Sequence, residues 1–291
     1  MTWVLCTVFA TFMQAWRNAF QSQLGQTVKV TGVTLARFIW AGPIAAIYLG
    51  LLYAIEPVAM PIFNTQYWLY IIGAAVTQIV ATSLMVRLFK MNNYAIGAGL
   101  AKSEAIVAAV LGMLFFGTTL SFFGWLGVFI GGLAVFLMSA VKGVKGLSLA
   151  TVAMGLACGS AFALTSLWVR EASLQLNLSF PYSAAWVLVM VISLQTLGLV
   201  SYLWLNDKGT LRALMQRPKL TLLTSVSSCL GSIGWFSAMS IQNVPYVKTL
   251  GQIEIFFTLL ISSYWLKQKV QIKDAFGLVL IALAALLVIW G

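Results

Sequence analysis

Apolar stretches recur along this chain and are separated by short polar connections. A helix needs about 20 mostly apolar residues to cross the hydrocarbon core of a bilayer. Ten stretches of that length can be drawn, at residues 2–20, 32–54, 67–89, 94–116, 121–140, 150–170, 182–205, 220–241, 245–266 and 272–290. The pattern predicts an all-α integral membrane protein. The composition agrees, because 61% of the residues are hydrophobic and only 8% are charged.

The 17 lysines and arginines concentrate on alternate connections. Thirteen of them flank odd-numbered connections, Arg170 lies in an even-numbered one, and Arg37, Lys102 and Lys248 lie within spans. Since basic residues stay on the cytoplasmic side, the odd-numbered connections are predicted to be cytoplasmic and both termini to lie outside. We expect a multi-pass protein of the bacterial inner (plasma) membrane. The net charge of +11 is therefore interpreted as a topology signal, and no nucleic-acid partner is expected.

The two halves of the chain show a weak internal repeat. A shift of 150 residues aligns Asn93 with Asn243, Leu100 with Leu250, Glu104 with Glu254, Phe115 with Trp265 and Gly127 with Gly277. Each half, 1–145 and 146–291, would hold five spans, and an odd number of crossings turns the second half upside down relative to the first. The sequence thus predicts ten transmembrane helices arranged as two inverted five-helix repeats, an arrangement that recurs in secondary transporters.

Three segments carry a resemblance to a known family: GVTLARF at 32–38, LGMLFFGTTLSFFGWLGVFIGGLAVFL at 111–137 and TLLISSYWLKQKVQIKDAFGLVLIALAALLV at 258–288. They resemble the drug/metabolite transporter superfamily, specifically its ten-span proteins with two EamA-type repeats. The resemblance implies a secondary transporter that works by alternating access. The chain departs from the family at Gly117 and Lys267, near which many members carry glutamate, and at Glu104 and Glu254, where members often carry proline. Family members also more commonly have cytoplasmic termini.

Glu104 and Glu254 are the main candidates for the functional site. Of the six acids in the chain, these two lie in the middle of predicted spans, at equivalent positions of the two repeats. An acid at mid-span costs about 2.5–3.5 kcal/mol on insertion scales, so it normally faces the bundle interior or a wet cavity. Burial and a like-charged neighbour both favour the protonated form of a carboxyl group. We therefore expect the pair to exchange protons, the alternative being that each glutamate pairs with Lys102 or Arg37 to fix helix packing.

Other polar and aromatic residues within spans are further candidates for binding substrate. Lys102 points away from Glu104 if the helix is continuous, so it would either balance a glutamate of another span or bind a substrate carboxylate. Arg37 and Lys248 either reach the interface, being close to span ends, or belong to the site. The remaining candidates are Gln252, the repeat equivalent of Lys102, the amides Gln14 and Gln78, and Trp16 and Trp168, whose rings are suited to a cationic group.

These features predict a secondary active transporter of a small cationic or zwitterionic metabolite, such as an amino acid, an amine or a lipophilic cation. Proton coupling is assigned to Glu104 and Glu254. The alternative is an organic-anion transporter that uses Arg37, Lys102 and Lys248, and the alternative from a different class is a lipid scramblase or a non-transporting membrane subunit.

No enzyme activity, metal or cofactor is expected, because the chain has no histidine, no cluster of acids and no Walker-type loop for ATP. The expected partners are a small-molecule substrate, protons and the lipid bilayer. The sequence leaves open whether the protein is a monomer or a homodimer.

Overall fold

The computed structural model describes residues 1–91, 101–141, 149–264 and 272–290, and these segments are nearly all helical, without a β-strand. Their α-helices are α1 (Thr2–Leu24), α2 (Val30–Ala36), α3 (Ala41–Ile55), α4 (Thr65–Met91), α5 (Glu104–Phe116), α6 (Phe122–Val141), α7 (Leu149–Gln175), α8 (Tyr182–Asn206), α9 (Lys208–Met215), α10 (Pro218–Ile241), α11 (Val244–Leu250), α12 (Glu254–Tyr264) and α13 (Ile272–Trp290). A 3-10 turn, Gly251–Ile253, joins α11 to α12. Several residues used in the predictions lie outside the described segments, namely Asn93, Leu100, Lys142, Lys145, Trp265, Lys267 and Lys269.

Six helical segments of the described chain are long and apolar enough to cross a membrane. They are Val30–Ile55, Thr65–Met91, Leu149–Gln175, Tyr182–Asn206, Pro218–Ile241 and Val244–Ile261. Shorter apolar helices lie at Glu104–Phe116, Phe122–Val135 and Phe276–Trp290. Many large apolar side chains on these helices are exposed, as a surface in contact with lipid requires. The prediction of a helical, membrane-spanning protein is therefore confirmed.

The most extensive helix contacts join the first half of the chain to the second. α1 packs on α10, α4 packs on α7, and α6 packs on α13, while α3 contacts α8 and α5 contacts α11. Glycines allow some of these helices to approach closely, as small residues do in membranes. Gly234 of α10 lies against the backbone of Cys6 and Ala10 in α1, and Gly127 of α6 lies against the carbonyl of Ala284 in α13.

The connections after α1 and α8 and the last turn of α4 lie together at one end of the molecule. Lys90, near the end of α4, donates to the carbonyl oxygen of Val28 at 2.8 Å, and Lys29 pairs with Asp207 at 2.7 Å. The Asp207 side chain also caps α9 by accepting hydrogen bonds from the backbone and hydroxyl of Thr210. The hydrogen bonds from Lys29 and Thr210 lower the pKa of Asp207 from 3.8 to about 2.

The connections after α3 and α7 lie together in the same way. Asn64 donates to the side-chain oxygen of Gln175 at 3.1 Å, and the hydroxyl of Tyr182 donates to the carbonyl oxygen of Glu56 at 2.6 Å. The connections thus fall into two groups. Within each group, the contacts just described join the first half of the chain to the second or lie within the first half.

The predicted span at 32–54 is broken into α2 and α3 by a turn at residues 37–40. Pro43 explains the break, because proline has no N–H to donate and its ring excludes the carbonyl group one turn earlier, so it is tolerated only in the first turn of α3. Ser225 of α10 replaces the missing helical bonds. Its hydroxyl donates to the carbonyl of Ala36 at 2.6 Å and accepts from the backbone N–H of Trp40 at 3.2 Å.

Two further predicted spans, 94–116 and 245–266, are interrupted immediately before their glutamates. A turn at Lys102 and Ser103 precedes α5, and the 3-10 turn precedes α12, so Glu104 and Glu254 are the first residues of their helices. The sequence predicted continuous helices here. At the second break the indole of Trp235 packs directly on Gly251, where the Cβ of any other residue would collide with the ring.

Candidate functional site

Side chains at or next to the three helix breaks line one central cavity. Its walls come from α1, α4, α5, α7, α10, α11 and α12, together with the two turns that carry Arg37 and Lys102. The lining residues are Gln14, Asn18, Arg37, Gln78, Met85, Ala101, Lys102, Glu104, Phe162, Thr165, Ser166, Ser232, Trp235, Phe236, Met239, Lys248 and Glu254. The free volume is about 30 Å³, enough for about two water molecules.

Five charged side chains lie in the wall of this cavity, and all are buried. The exposed fractions are 2% for Arg37, 5% for Lys102, 5% for Glu104, 7% for Lys248 and 2% for Glu254. Charges removed from water need partners, because the cost of desolvation is several kcal/mol per ion in real proteins. The three cations and two carboxylates give the lining a formal charge of +1.

The lysines and glutamates form two crossed ion pairs, in each of which the lysine and the glutamate come from different halves of the chain. Lys102 is bonded to Glu254, and the Lys248 Nζ lies 3.4 Å from the Glu104 Oε2. The Lys102 Nζ also lies 4.0 Å from the Glu104 Oε1. The prediction that Lys102 and Glu104 point apart assumed a continuous helix, and the turn at Lys102 and Ser103 removes that assumption.

Glu254 accepts hydrogen bonds from α1 in addition to its ion pair with Lys102. The amide of Asn18 donates to Oε1 at 2.8 Å, and the amide of Gln14 donates to Oε2 at 2.5 Å. Arg17 donates in turn to the side-chain oxygen of Asn18 at 2.7 Å, which orients the amide nitrogen of Asn18 toward the carboxylate. Glu254 is thus held by an ion pair and two amides.

Arg37 lies at the break between α2 and α3 and is held there by neutral groups. Its Nη1 donates to the hydroxyl of Thr82 at 2.7 Å, and its Nε donates to the hydroxyl of Ser228 at 3.1 Å. Burial of the guanidinium shows that Arg37 does not extend to the interface, which was one of the two interpretations of its position. Lys248 is also buried, with its Nζ 4.3 Å from the ring centroid of Trp235.

Seven of the residues considered for the site are brought together around the cavity. They are Glu104, Glu254, Lys102, Arg37, Lys248, Gln14 and Gln78. Gln78 also accepts a hydrogen bond at 2.6 Å from Gln195, which lies behind it on α8.

The other three predicted residues lie elsewhere. Gln252 is fully buried, but its side chain packs against Gly131 of α6. Trp16 stacks on Phe20 and lines a separate apolar groove between α1 and α12, and Trp168 packs on Gly73 of α4. The repeat alignment marked Gln252 as the equivalent of Lys102, but it could not indicate which face of each helix is turned to the centre.

Sequence reasoning missed Asn18 and Trp235, two residues of the cavity that are hydrogen-bonded to predicted site residues. Asn18 belongs to a stripe on α1, because Thr7, Thr11, Gln14, Asn18 and Gln21 follow each other at spacings of four and three residues. That spacing places them on one helix face, so the stripe was the signal that would have found Asn18. The indole nitrogen of Trp235 donates to Gln14 at 2.9 Å, a contact for which the sequence has no local signal.

Comparison with known proteins establishes the fold alone. No family model and no curated protein matches this sequence. One solved crystal structure superposes with a TM-score of 0.70 at 15% identity, covering 99% of this chain and 95% of that chain. The two chains therefore share an architecture over nearly their whole length, and an identity this low carries no information about substrate.

Proposed function

We propose that this chain is a secondary active transporter of the drug/metabolite transporter type, which moves a small charged metabolite through the central cavity by alternating access. The observation that carries this proposal is the set of five buried charges where three helices are broken. Ionisable residues within membrane spans are expensive and mark substrate or ion pathways. Broken helices line the binding sites of secondary transporters, where their free backbone groups face a cavity.

The contacts between connections support ten spans with both termini outside. Odd-numbered connections contact odd-numbered ones, as Lys29 and Asp207 do, and even-numbered connections contact even-numbered ones, as Asn64 and Gln175 do. This is the grouping that ten crossings require. The basic residues on the odd-numbered side then place that side in the cytoplasm of a bacterial inner membrane.

The helix pairing supports two inverted repeats with boundaries at 1–145 and 146–291. Exchanging the two halves converts the α1–α10 pair into the α7–α4 pair, and it converts the α6–α13 pair into itself. The exchange also relates Glu104 to Glu254, whereas their lysine partners are not related by it, since the equivalent of Lys102 is Gln252. A site built in this way lies between the halves, so rocking one half against the other exposes it to each side in turn.

Protons couple to transport by competing with the lysines for the glutamates. A proton on Glu104 neutralises the carboxylate that holds Lys248, and a proton on Glu254 does the same for Lys102. A released lysine is then free to bind an anionic group of the metabolite. Conversely, an ammonium group of the metabolite can replace a lysine at an ionised glutamate. Proton movement and metabolite binding therefore use the same four side chains.

Two substrate classes fit the charged side chains that line the cavity. Glu104 and Glu254 suit the amino group of a cationic or zwitterionic metabolite, such as an amino acid or an amine. The formal charge of +1 on the cavity lining favours the second candidate, an organic anion bound by Arg37, Lys102 and Lys248.

A ligand screen followed by transport assays tests the proposal. Thermal unfolding of the purified protein against amino acids, amines and organic acids identifies a ligand, because binding raises stability by RT ln(1 + [L]/Kd). Uptake of that ligand into proteoliposomes is then measured with and without a pH gradient. We expect wild-type uptake to respond to the gradient, and the double variant Glu104→Gln, Glu254→Gln to lose that response.

The control for this experiment is Glu56→Gln, since Glu56 is an exposed acid away from the cavity and its substitution leaves the response unchanged. An unaltered gradient response in the double variant would reject coupling through the glutamates. Movement of fluorescent lipids between leaflets without uptake of any solute would favour a scramblase over a transporter. Absence of both activities would favour a non-transporting membrane subunit.

A further inference from the structure

Arg37 differs from the other two cations of the cavity in having only neutral partners. Each lysine pairs with a carboxylate, whereas Arg37 donates to the hydroxyls of Thr82 and Ser228. Within the described part of the chain, no carboxylate oxygen lies within ion-pair distance of its guanidinium. Arginine carries five N–H donors, and two of them have acceptors here. A buried arginine without an anion is costly, so its charge is better matched when an anionic group enters the cavity.

The position of Arg37 is fixed from outside the site. Its turn is held by Ser225, which bonds to the backbone on both sides of the break, and by Thr196, whose hydroxyl donates to the carbonyl of Phe38 at 3.2 Å. The guanidinium is therefore presented to the cavity by backbone that neighbouring helices anchor. A preorganised fork of this kind suits the planar, two-oxygen geometry of a carboxylate.

The rest of the cavity wall indicates what accompanies the carboxylate. Phe162, Trp235 and Phe236 line the same space as Arg37. They supply apolar surface for a hydrocarbon or aromatic body, in the mixture of apolar wall and few polar groups that is typical of small-molecule sites.

We infer that Arg37 binds the carboxylate of the transported metabolite, which rests on the proposed transport function. The substrate is then a small organic anion or a zwitterion with an apolar body, and a cation without a carboxylate is excluded. Because the free volume of about 30 Å³ is too small for such a molecule, the side chains that line the cavity must move when it binds. The carboxylate of the metabolite then replaces a glutamate carboxylate as the anion nearest to the cationic side chains of the cavity.

Three probes with one shared body and different head groups test this inference: phenylacetate, phenylacetamide and phenethylamine. Their binding to the purified protein is measured by thermal unfolding and by isothermal titration at a pH where phenylacetate is ionised. We expect wild-type protein to bind phenylacetate more tightly than the other two. We expect Arg37→Gln to weaken phenylacetate binding by about 10- to 100-fold, the range for a charge-assisted hydrogen bond, and to remove the preference over the amide.

Two further variants keep the result interpretable. Arg37→Lys retains the charge without the two-pronged donor and is expected to bind phenylacetate with intermediate affinity, and it carries the test if Arg37→Gln does not fold. Arg212→Gln removes an exposed arginine of α9 and is expected to bind as wild type does. Tighter binding of phenethylamine than of phenylacetate, or undiminished phenylacetate binding in both Arg37 variants, would overturn the inference and leave the transporter proposal standing. Binding of none of the three probes would count against the cavity as a site for charged solutes, and so against the proposed function itself.

Discussion

At the scale of single residues, Glu104 and Glu254 are held differently although the sequence alignment of the two halves makes them equivalent. Glu254 accepts bonds from Lys102, Gln14 and Asn18. Glu104 lies 3.4 Å from Lys248 and 4.0 Å from Lys102. The polar stripe on α1 reaches Glu254 and supplies its two amide donors. The correspondence between the two aligned positions thus ends at the residues that surround each carboxylate. Glu104 and Glu254 can therefore have different roles.

Removal of one partner of the Glu104–Lys248 ion pair is expected to destabilise the protein more than removal of both. Lys248→Met leaves a buried carboxylate poorly compensated, so we expect a loss of about 3 kcal/mol in the free energy of unfolding. The double variant Lys248→Met, Glu104→Gln removes both charges and is expected to recover most of that loss. Unfolding by sodium dodecyl sulfate in mixed micelles measures all four proteins of the cycle. Simple addition of the two single effects would show that the residues are not coupled.

At the scale of helices, close approach between α1 and α10 positions the stripe of α1 beside the cavity. Gly234 makes this approach possible, since a Cβ at that position would lie 2.7 Å from the carbonyl oxygen of Cys6. At Gly231, on the same face one turn earlier, the nearest atoms would be 3.5 Å away, which is ordinary contact. The two glycines therefore have different roles although the sequence context is alike.

Gly234→Ala is expected to destabilise the protein and Gly231→Ala is not. The first substitution forces the backbones of α1 and α10 apart, which typically costs about 1–3 kcal/mol in a well-packed contact. The second meets no such obstacle and gains about 0.5–1 kcal/mol from the better helix propensity of alanine. Thermal unfolding of the two variants in the same detergent compares them directly. Equal melting temperatures for the two variants would mean that α1 and α10 can separate slightly at no cost.

At the scale of the whole molecule, hydropathy and charge predicted the helical membrane protein and most helix positions, because crossing a bilayer imposes a minimum apolar length. The mid-span charges were predicted as site candidates for the same physical reason, and seven of the ten candidates line the cavity. The helix breaks were not predicted. Pro43 was a local signal for the break between α2 and α3, whereas Ser225, which satisfies the backbone of that turn, is distant in sequence. The positions of Trp16 and Trp168 failed similarly, because helix orientation depends on packing partners that periodicity does not reveal.

In the proposed transport cycle the two groups of connections have opposite roles, which cross-linking can test. Lys29 and Asp207 join the halves at one end, and Asn64 and Gln175 join them at the other. In a background without the three native cysteines, each pair is replaced by cysteines and linked with a short, cleavable bis-maleimide. Because transport requires both ends to open in turn, either cross-link alone is expected to reduce uptake in proteoliposomes to the level of empty liposomes. Cleavage of the linker should restore uptake in both cases, while undiminished uptake with both links in place would exclude rocking of the halves as the transport motion.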